Sequence, residues 1–158
     1  MRALETTATY LPDSDEIEVH SPTLASTKWW PGALGRTANF AIVFARLLVG
    51  GRDLGIHNFL VQLRDVESHQ PLAGVTVGDI GPKIGYNAQD NGFCRFARVR
   101  IPRQQMAMRH ARLSRGGEYA TSGSVARDVL YSTMTLVRAE IVGNCGAALA
   151  QAATVAIR

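Results

Sequence analysis

Long apolar runs are missing from this chain: Phe40 to Val49 and Ala147 to Ile157 are the longest, and both are short or broken by polar groups. They fall below the ~18 consecutive apolar residues of a membrane helix, so no membrane span is expected. The opening residues, Met1-Arg2-Ala3-Leu4-Glu5-Thr6-Thr7, have no apolar h-region, which argues against secretion. Cysteine is scarce. Cys94 and Cys145 lie far apart in unlike surroundings, which fits free thiols in a reducing compartment better than a disulfide framework. The final Ala156-Ile157-Arg158 is not a Ser-Lys-Leu-type targeting signal. Charge of one sign is not concentrated either. The net +4 comes from basic residues scattered from Arg2 to Arg158, densest between Arg95 and Arg115, so no nucleic-acid partner is expected.

What is present is a globular composition. At 158 residues, 46% hydrophobic and 19% charged, the chain can bury one real core, whereas two complete domains would be a squeeze. Up to about Met108 it reads as short extended segments separated by turn residues. Thr6 to Tyr10 and Glu16 to His20 flank Pro12-Asp13-Ser14-Asp15, which predicts a hairpin. Phe40 to Leu48 predicts a buried strand ending at Gly50-Gly51. In Ile56 to Leu63 the residues alternate, with His57, Phe59, Val61 and Leu63 on one face, and a second hairpin is expected across Gly50 to Gly55. Val75 to Val77 and Phe93 to Val99 add further strands. Many short strands with regular turn signals predict a mainly β fold, a β-barrel or sandwich.

The pattern changes after Arg115-Gly116-Gly117. From Ser124 to Ile157 there is no proline, and apolar residues recur at helical spacing, so one long helix is expected, with a break or a close helix contact at Gly143 and Gly146. A helix this long cannot bury an apolar face on a small β-domain alone and calls for partner helices. The organisation expected is a β-domain over 1–115, a linker over 116–123, and over 124–158 the first helix of a helical domain that the chain truncates.

Lys28-Trp29-Trp30-Pro31-Gly32-Ala33-Leu34-Gly35 is the most unusual segment, with both tryptophans side by side before a proline and two glycines. One reading is a core tryptophan and a turn. The other is a planar-ligand site, where Trp offers a flat face and Gly lets a backbone N–H come close. Gly32 to Thr37 lacks the lysine and the first glycine of a phosphate-binding loop. His20, His57, His69 and His110 are dispersed, without metal-ligand spacing. Asp79, Asp90 and Asn91 beside glycines read as turn formers. Arg100, Arg103, Arg109 and Arg112 read as a solvated edge, with contact to anionic phosphates as the alternative.

The Lys-Trp-Trp-Pro-Gly segment resembles that of peroxisomal acyl-CoA oxidases. So do Leu4 to Tyr10, Gly74-Val75-Thr76-Val77-Gly78-Asp79-Ile80-Gly81-Pro82-Lys83, Asp90-Asn91-Gly92, Arg100-Ile101-Pro102-Arg103, Val137-Arg138, Val142-Gly143 and Ala156-Ile157-Arg158. The resemblance implies a middle β-barrel domain of short antiparallel strands plus the start of a C-terminal helical domain. It implies FAD as cofactor, an acyl-CoA substrate, and conversion with O2 to trans-2-enoyl-CoA and H2O2 in fatty acid β-oxidation. By the resemblance Gly32 is the glycine that contacts FAD, and Trp30 and Pro31 form the adjoining wall. A flavin-contacting threonine would precede Met1, and the catalytic glutamate would lie beyond Arg158, so no catalytic residue is expected in this chain and it should be inactive alone. The resemblance also implies missing N- and C-terminal domains of the same enzyme, a homodimer, and a peroxisomal location. Ala33, Arg98 and Gly116 to Tyr119 depart from the family pattern. Two other readings stay open: a noncatalytic remnant serving as an assembly or interaction module, and a piece of an acyl-CoA dehydrogenase.

Overall fold

The computed structural model describes residues 3–122 and 124–158. The chain divides into two compact units, Met1–Tyr119 and Ala120–Arg158.

The first unit is built from strands. The hairpin expected near the N-terminus forms: β1 (Thr7–Leu11) pairs antiparallel with β2 (Glu16–His20), Thr7 opposite His20 and Leu11 opposite Glu16. Their alternation buries Ala8 and Tyr10 from one strand and Ile17 and Val19 from the other. After β3 (Lys28–Gly32), β4 (Phe40–Val49) and β5 (Arg52–Gln62) make a long antiparallel hairpin. The turn is tighter than expected. Gly50 and Gly51 both take positive φ, 54° and 77°, so β5 starts at Arg52. Val43, Ala45 and Leu47 of β4 face inward with Phe59 and Val61 of β5 and the following Leu63. This is the face the alternation predicts. β6 (Val75–Asp79), β7 (Asn91–Phe96), β8 (Val99–Pro102), β9 (Ala111–Leu113) and β10 (Tyr119–Thr121) follow.

The strands form a five-stranded sheet in the order β5-β4-β1-β2-β8, a three-stranded sheet β3-β7-β6, and a two-stranded sheet of β9 and β10. Both larger sheets feed one apolar cluster, to which β6 and β7 add Val75, Cys94 and Phe96. The fold is mainly β followed by one helix, but three details differ from expectation. First, β1 and β4 pair in parallel, Thr7 opposite Arg46, so the strands are not all antiparallel; β3, in the other sheet, lies on the crossover between them. Second, no ladder closes the five-stranded sheet among the described residues. Its end strand β5 is instead bridged once, at Phe59 to Met106, with Ala107 N–H donating to Asn58 O at 2.8 Å. Third, Phe93 to Val99 is two strands in two sheets, divided where Arg98 takes φ 54°. Part of the expected linker is strand β10.

In the second unit, α1 (Ser124–Ile157) is one helix of 34 residues. Neither glycine breaks it, and a Cβ at Gly143 or Gly146 would meet nothing within 4 Å, so neither marks a close contact. Leu136, Ile141, Val142, Leu149 and Val155 are exposed. Thr135–Ile157, 23 residues with mean hydropathy 1.2, is long and apolar enough by length and composition to cross a membrane. The expectation counted uninterrupted runs, whereas this stretch passes on its average. Small apolar residues such as Ala147, Ala148 and Ala150 lift the average across polar interruptions that end each run.

Candidate functional site

The Trp-Trp-Pro-Gly segment is strand β3, at the edge of the three-stranded sheet, antiparallel to β7. An edge tolerates Pro31, which has no N–H to give to a ladder. Lys28 lies opposite Cys94 and Trp29 opposite Phe93; the register then shifts before Gly32 meets Asn91. Neither tryptophan is in the core, since each is 55% exposed, which overturns the core-tryptophan reading. Trp29 stacks on Phe93 with ring centroids 5.8 Å apart and planes 18° from parallel. Trp30 lies in the irregular stretch with φ 86°, and Ala33 just beyond has φ 62°. Left-handed backbone at non-glycine residues costs on the order of 1–3 kcal/mol each, and surrounding contacts must hold it.

Those contacts come from Asp90 and Asn91, expected as turn formers, from His69, and from Arg64, which the sequence did not single out. The Asn91 side-chain amide donates to Trp30 O at 2.9 Å. Asp90 accepts at 2.9 Å from the N–H groups of Arg36 and Thr37 and from the Thr37 hydroxyl. Burial pushes its carboxyl up, yet these donors prevail and hold it below the usual aspartate range. From the other side, Arg64, only 4% exposed, donates at 2.8 Å to Gly35 O and to Ala38 O, and reaches Leu34 O at 3.4 Å. His69 Nε2 lies 2.6 Å from Arg36 O. Asp90 is therefore more than a turn former.

Glycine is required where this turn crosses the next strand. A Cβ on Gly92 would sit 2.5 Å from Gly35 Cα, and one on Gly35 would sit 3.2 Å from Asp79 Cα and 3.3 Å from Asn91 O. At Gly32, by contrast, an added Cβ would meet only Gln89 Nε2, at 3.7 Å. Gly32, Pro31 and Trp30 thus present an accessible strip of backbone and ring along the strand edge. Trp30 and Gly32 suit a flat aromatic ligand: a half-exposed indole and an uncovered glycine are neighbours on one short segment.

Beside this strip, Lys28 Nζ donates to Phe44 O at 3.0 Å. Burial lowers the pKa of this amine, an effect Cys94 partly opposes. Burial pushes the Cys94 thiol up to about 12, so it is a packing residue and not a nucleophile. The arginines expected along a solvated edge divide. Arg109 and Arg112 are exposed, Arg100 lies 3.6 Å from Glu16, and Arg103 is turned inward onto Asp15 at 2.6 Å. Asp15 also accepts from the Tyr10 hydroxyl at 3.0 Å. His57 meets Tyr119 OH at 2.9 Å and His20 meets Phe96 O at 3.3 Å. Among the described residues no group of three His, Cys, Asp or Glu could hold a metal ion. A cavity of about 370 Å³ lined by Ile42, Asn58, Leu60, Gln105 and Met106 contains none of Trp30, Pro31 or Gly32.

No protein-family model matches the chain. Among curated proteins it is similar to peroxisomal acyl-coenzyme A oxidase 1 of Arabidopsis thaliana, at 50% identity over 161 residues, covering all of this chain and 24% of that protein. The human protein of the same name is 47% identical over 158 residues, with the same coverage. Among solved structures, Arabidopsis acyl-CoA oxidase 1 matches with TM-score 0.81 and 52% identity over 89% of this chain and 22% of that one. Acyl-CoA oxidase-2 of Caenorhabditis elegans, solved with FAD, ascaroside-CoA and ATP, matches with TM-score 0.74 and 49% identity over 76% of this chain and 18% of that one. The chain spans about a quarter of the length of the curated relatives it matches.

Proposed function

We propose that this chain is a segment of an FAD-dependent acyl-CoA oxidase, an enzyme that converts acyl-CoA and O2 to trans-2-enoyl-CoA and H2O2 in peroxisomal fatty acid β-oxidation. The observation that carries the reading is the match of the whole chain, at 50% identity, to a segment of such oxidases. Its structure supports the placement of the cofactor wall: Trp30, Pro31 and Gly32 lie together on an open strand edge. When bound, FAD supplies a two-electron acceptor for the hydride removed from the substrate. Trp30 and Pro31 offer a flat apolar wall to it, and Gly32 leaves its backbone approachable. No carboxylate of this chain is assigned the role of base; that group belongs to a part of the enzyme outside these residues.

In this reading residues 1–115 are the middle domain, 116–123 the linker and 124–158 the first helix of the helical domain. The middle domain is a barrel whose last seam is the bridge between Phe59 and Met106. The exposed apolar residues of α1 pack against the remaining helices of a homodimeric enzyme. That is why a membrane role is not needed to account for them.

The test is to express the chain together with its flanking reading frame. The longer protein should purify with flavin absorbance and release peroxide from an acyl-CoA, and Gly32→Val should lower flavin content several-fold. The 158-residue chain alone should retain little or no flavin and release no peroxide. Stop codons directly flanking Met1 and Arg158 would sink the enzyme reading in favour of a noncatalytic module. Electron transfer to a carrier protein in place of oxygen would assign a dehydrogenase.

A further inference from the structure

We infer that Asp90, Asn91 and Arg64 are positioning residues that hold the Trp30–Gly32 wall in its bent form by gripping mainly backbone groups of the segment from Trp30 to Ala38. This rests on the reading above only for what the wall receives. The grip itself stands on geometry. Trp30 and Ala33 keep left-handed backbone, φ 86° and 62°, which two side chains with a Cβ do not adopt unless neighbours impose it. On one side of the bend, consecutive residues at the start of β7 act together: Asn91 donates to Trp30 O at 2.9 Å, and Asp90 takes up the N–H groups of Arg36 and Thr37 at 2.9 Å. On the other side, Arg64 caps the carbonyls of Gly35 and Ala38 at 2.8 Å.

Arg64 is notable for its partners. A buried guanidinium ordinarily meets a carboxylate, yet among the described residues it forms no ion pair, and its planar fork is spent on backbone carbonyls of one turn. Those carbonyls and the Arg36 N–H would otherwise call for water or a helix to continue them, since the turn runs only from Ala33 to Thr37, whereas the Thr37 N–H also reaches Ala33 O at 3.2 Å. Because none of these grips is on the side chain at position 33, that side chain can vary while the wall keeps its course. Trp29 is held independently, by its stack on Phe93. The two adjacent indoles therefore report on different supports.

This difference supplies the test. In the isotope-labelled 158-residue chain without flavin, the indole N–H resonances of Trp29 and Trp30 are recorded along with amide exchange at Arg36 and Thr37. Asp90→Ala should speed exchange at Arg36 at least tenfold, at Thr37 less because Ala33 O remains as acceptor, and displace the Trp30 indole signal while leaving Trp29 in place. Asp90→Asn, which keeps an acceptor oxygen, should restore most of both readouts. Arg64→Lys, with one ammonium in place of the fork, should shift Trp30 in the same sense as Asp90→Ala. Unchanged exchange and an unmoved Trp30 signal in Asp90→Ala would overturn the inference. So would equal displacement of both indoles with a general loss of exchange protection, which marks plain destabilisation. No flavin enters the experiment, so its failure is distinct from failure of the cofactor reading, which the flavin content of the longer protein decides.

Discussion

The helix is richer in apolar residues than the β unit, yet the two use them in opposite ways. Buried residues alternate along β1 and β2, from Val43 to Leu47 of β4 and at Phe59 and Val61 of β5, and Ala8, Ile17, Val19, Leu47, Phe59 and Val61 reach 0% exposure. In α1 the described side chains from Thr135 onward are exposed, Leu149 and Leu136 at 71%. A segment is self-sufficient when its apolar pattern finds a facing surface inside the chain; apolar content alone does not provide one. The β unit therefore stands by its own core.

Substitutions can break or sharpen that contrast. The largest effect is expected at the glycine crossing: Gly92→Val places a branched side chain where even a Cβ would fall 2.5 Å from Gly35 Cα. It should cost more than about 3 kcal/mol and melt the β unit at markedly lower denaturant, while the helical circular-dichroism signal survives. Loss of both signals together would join the two regions into one cooperative body. Next comes acid sensitivity of the β unit. The hydrogen bond from Arg103 holds the Asp15 carboxyl below its ordinary value, and the Tyr10 hydroxyl helps. The folded-state pKa is depressed, so the contribution is complete above about pH 4, where the unfolded carboxylate is ionised, and is lost as pH falls through the folded value. Thermal melts from pH 7 to 3 should show a shallower decline for Asp15→Asn than for the unmodified chain. A smaller effect of opposite sign is expected for Ala33→Gly. At φ 62° the methyl group is a burden, and its removal should raise stability by about 1 kcal/mol in a urea titration. The smallest belongs to α1: Leu149→Gln should change stability by less than about 0.5 kcal/mol, because the side chain is exposed. A loss above about 1 kcal/mol would mean that the helix has found a covering surface.

Local order was legible in the chain itself. The β1–β2 hairpin, the inward face of β5 and the long helix all follow from spacing between neighbours in sequence, where period-two and helical patterns arise. What escaped was long-range. The parallel pairing of Thr7 with Arg46 depends on a crossover that no local pattern marks. The division of Phe93 to Val99 between two sheets is marked by no proline or glycine within the segment. At the site, Trp30, Pro31 and Gly32 stood out as a group, but proline and glycine there suggested a turn and not an edge strand. Asp90 reads as a turn former beside Asn91 and Gly92, because the donors it meets, Arg36 and Thr37, lie far away in sequence. Arg64 gave no signal, because an arginine that binds carbonyls needs no acidic partner at any fixed spacing. Ala33 was noticed as an oddity, and its positive φ gives that oddity a physical meaning.

The place of β8 beside β2 has a consequence for how the chain is made. Strand β2 ends at His20, but the neighbour that covers its outer edge begins only at Val99, with Val19 paired to Val99 and Ile17 to Ile101. On a ribosome adding roughly 5–20 residues per second, that edge waits on the order of ten seconds for its partner to emerge. During that interval the nascent hairpin offers unpaired N–H and C=O groups to any passing strand. Glu16 and Glu18, which alternate with the buried Ile17 and Val19, place negative charge along the waiting strand. Newborn chains are then discouraged from zipping together before synthesis supplies the rightful neighbour.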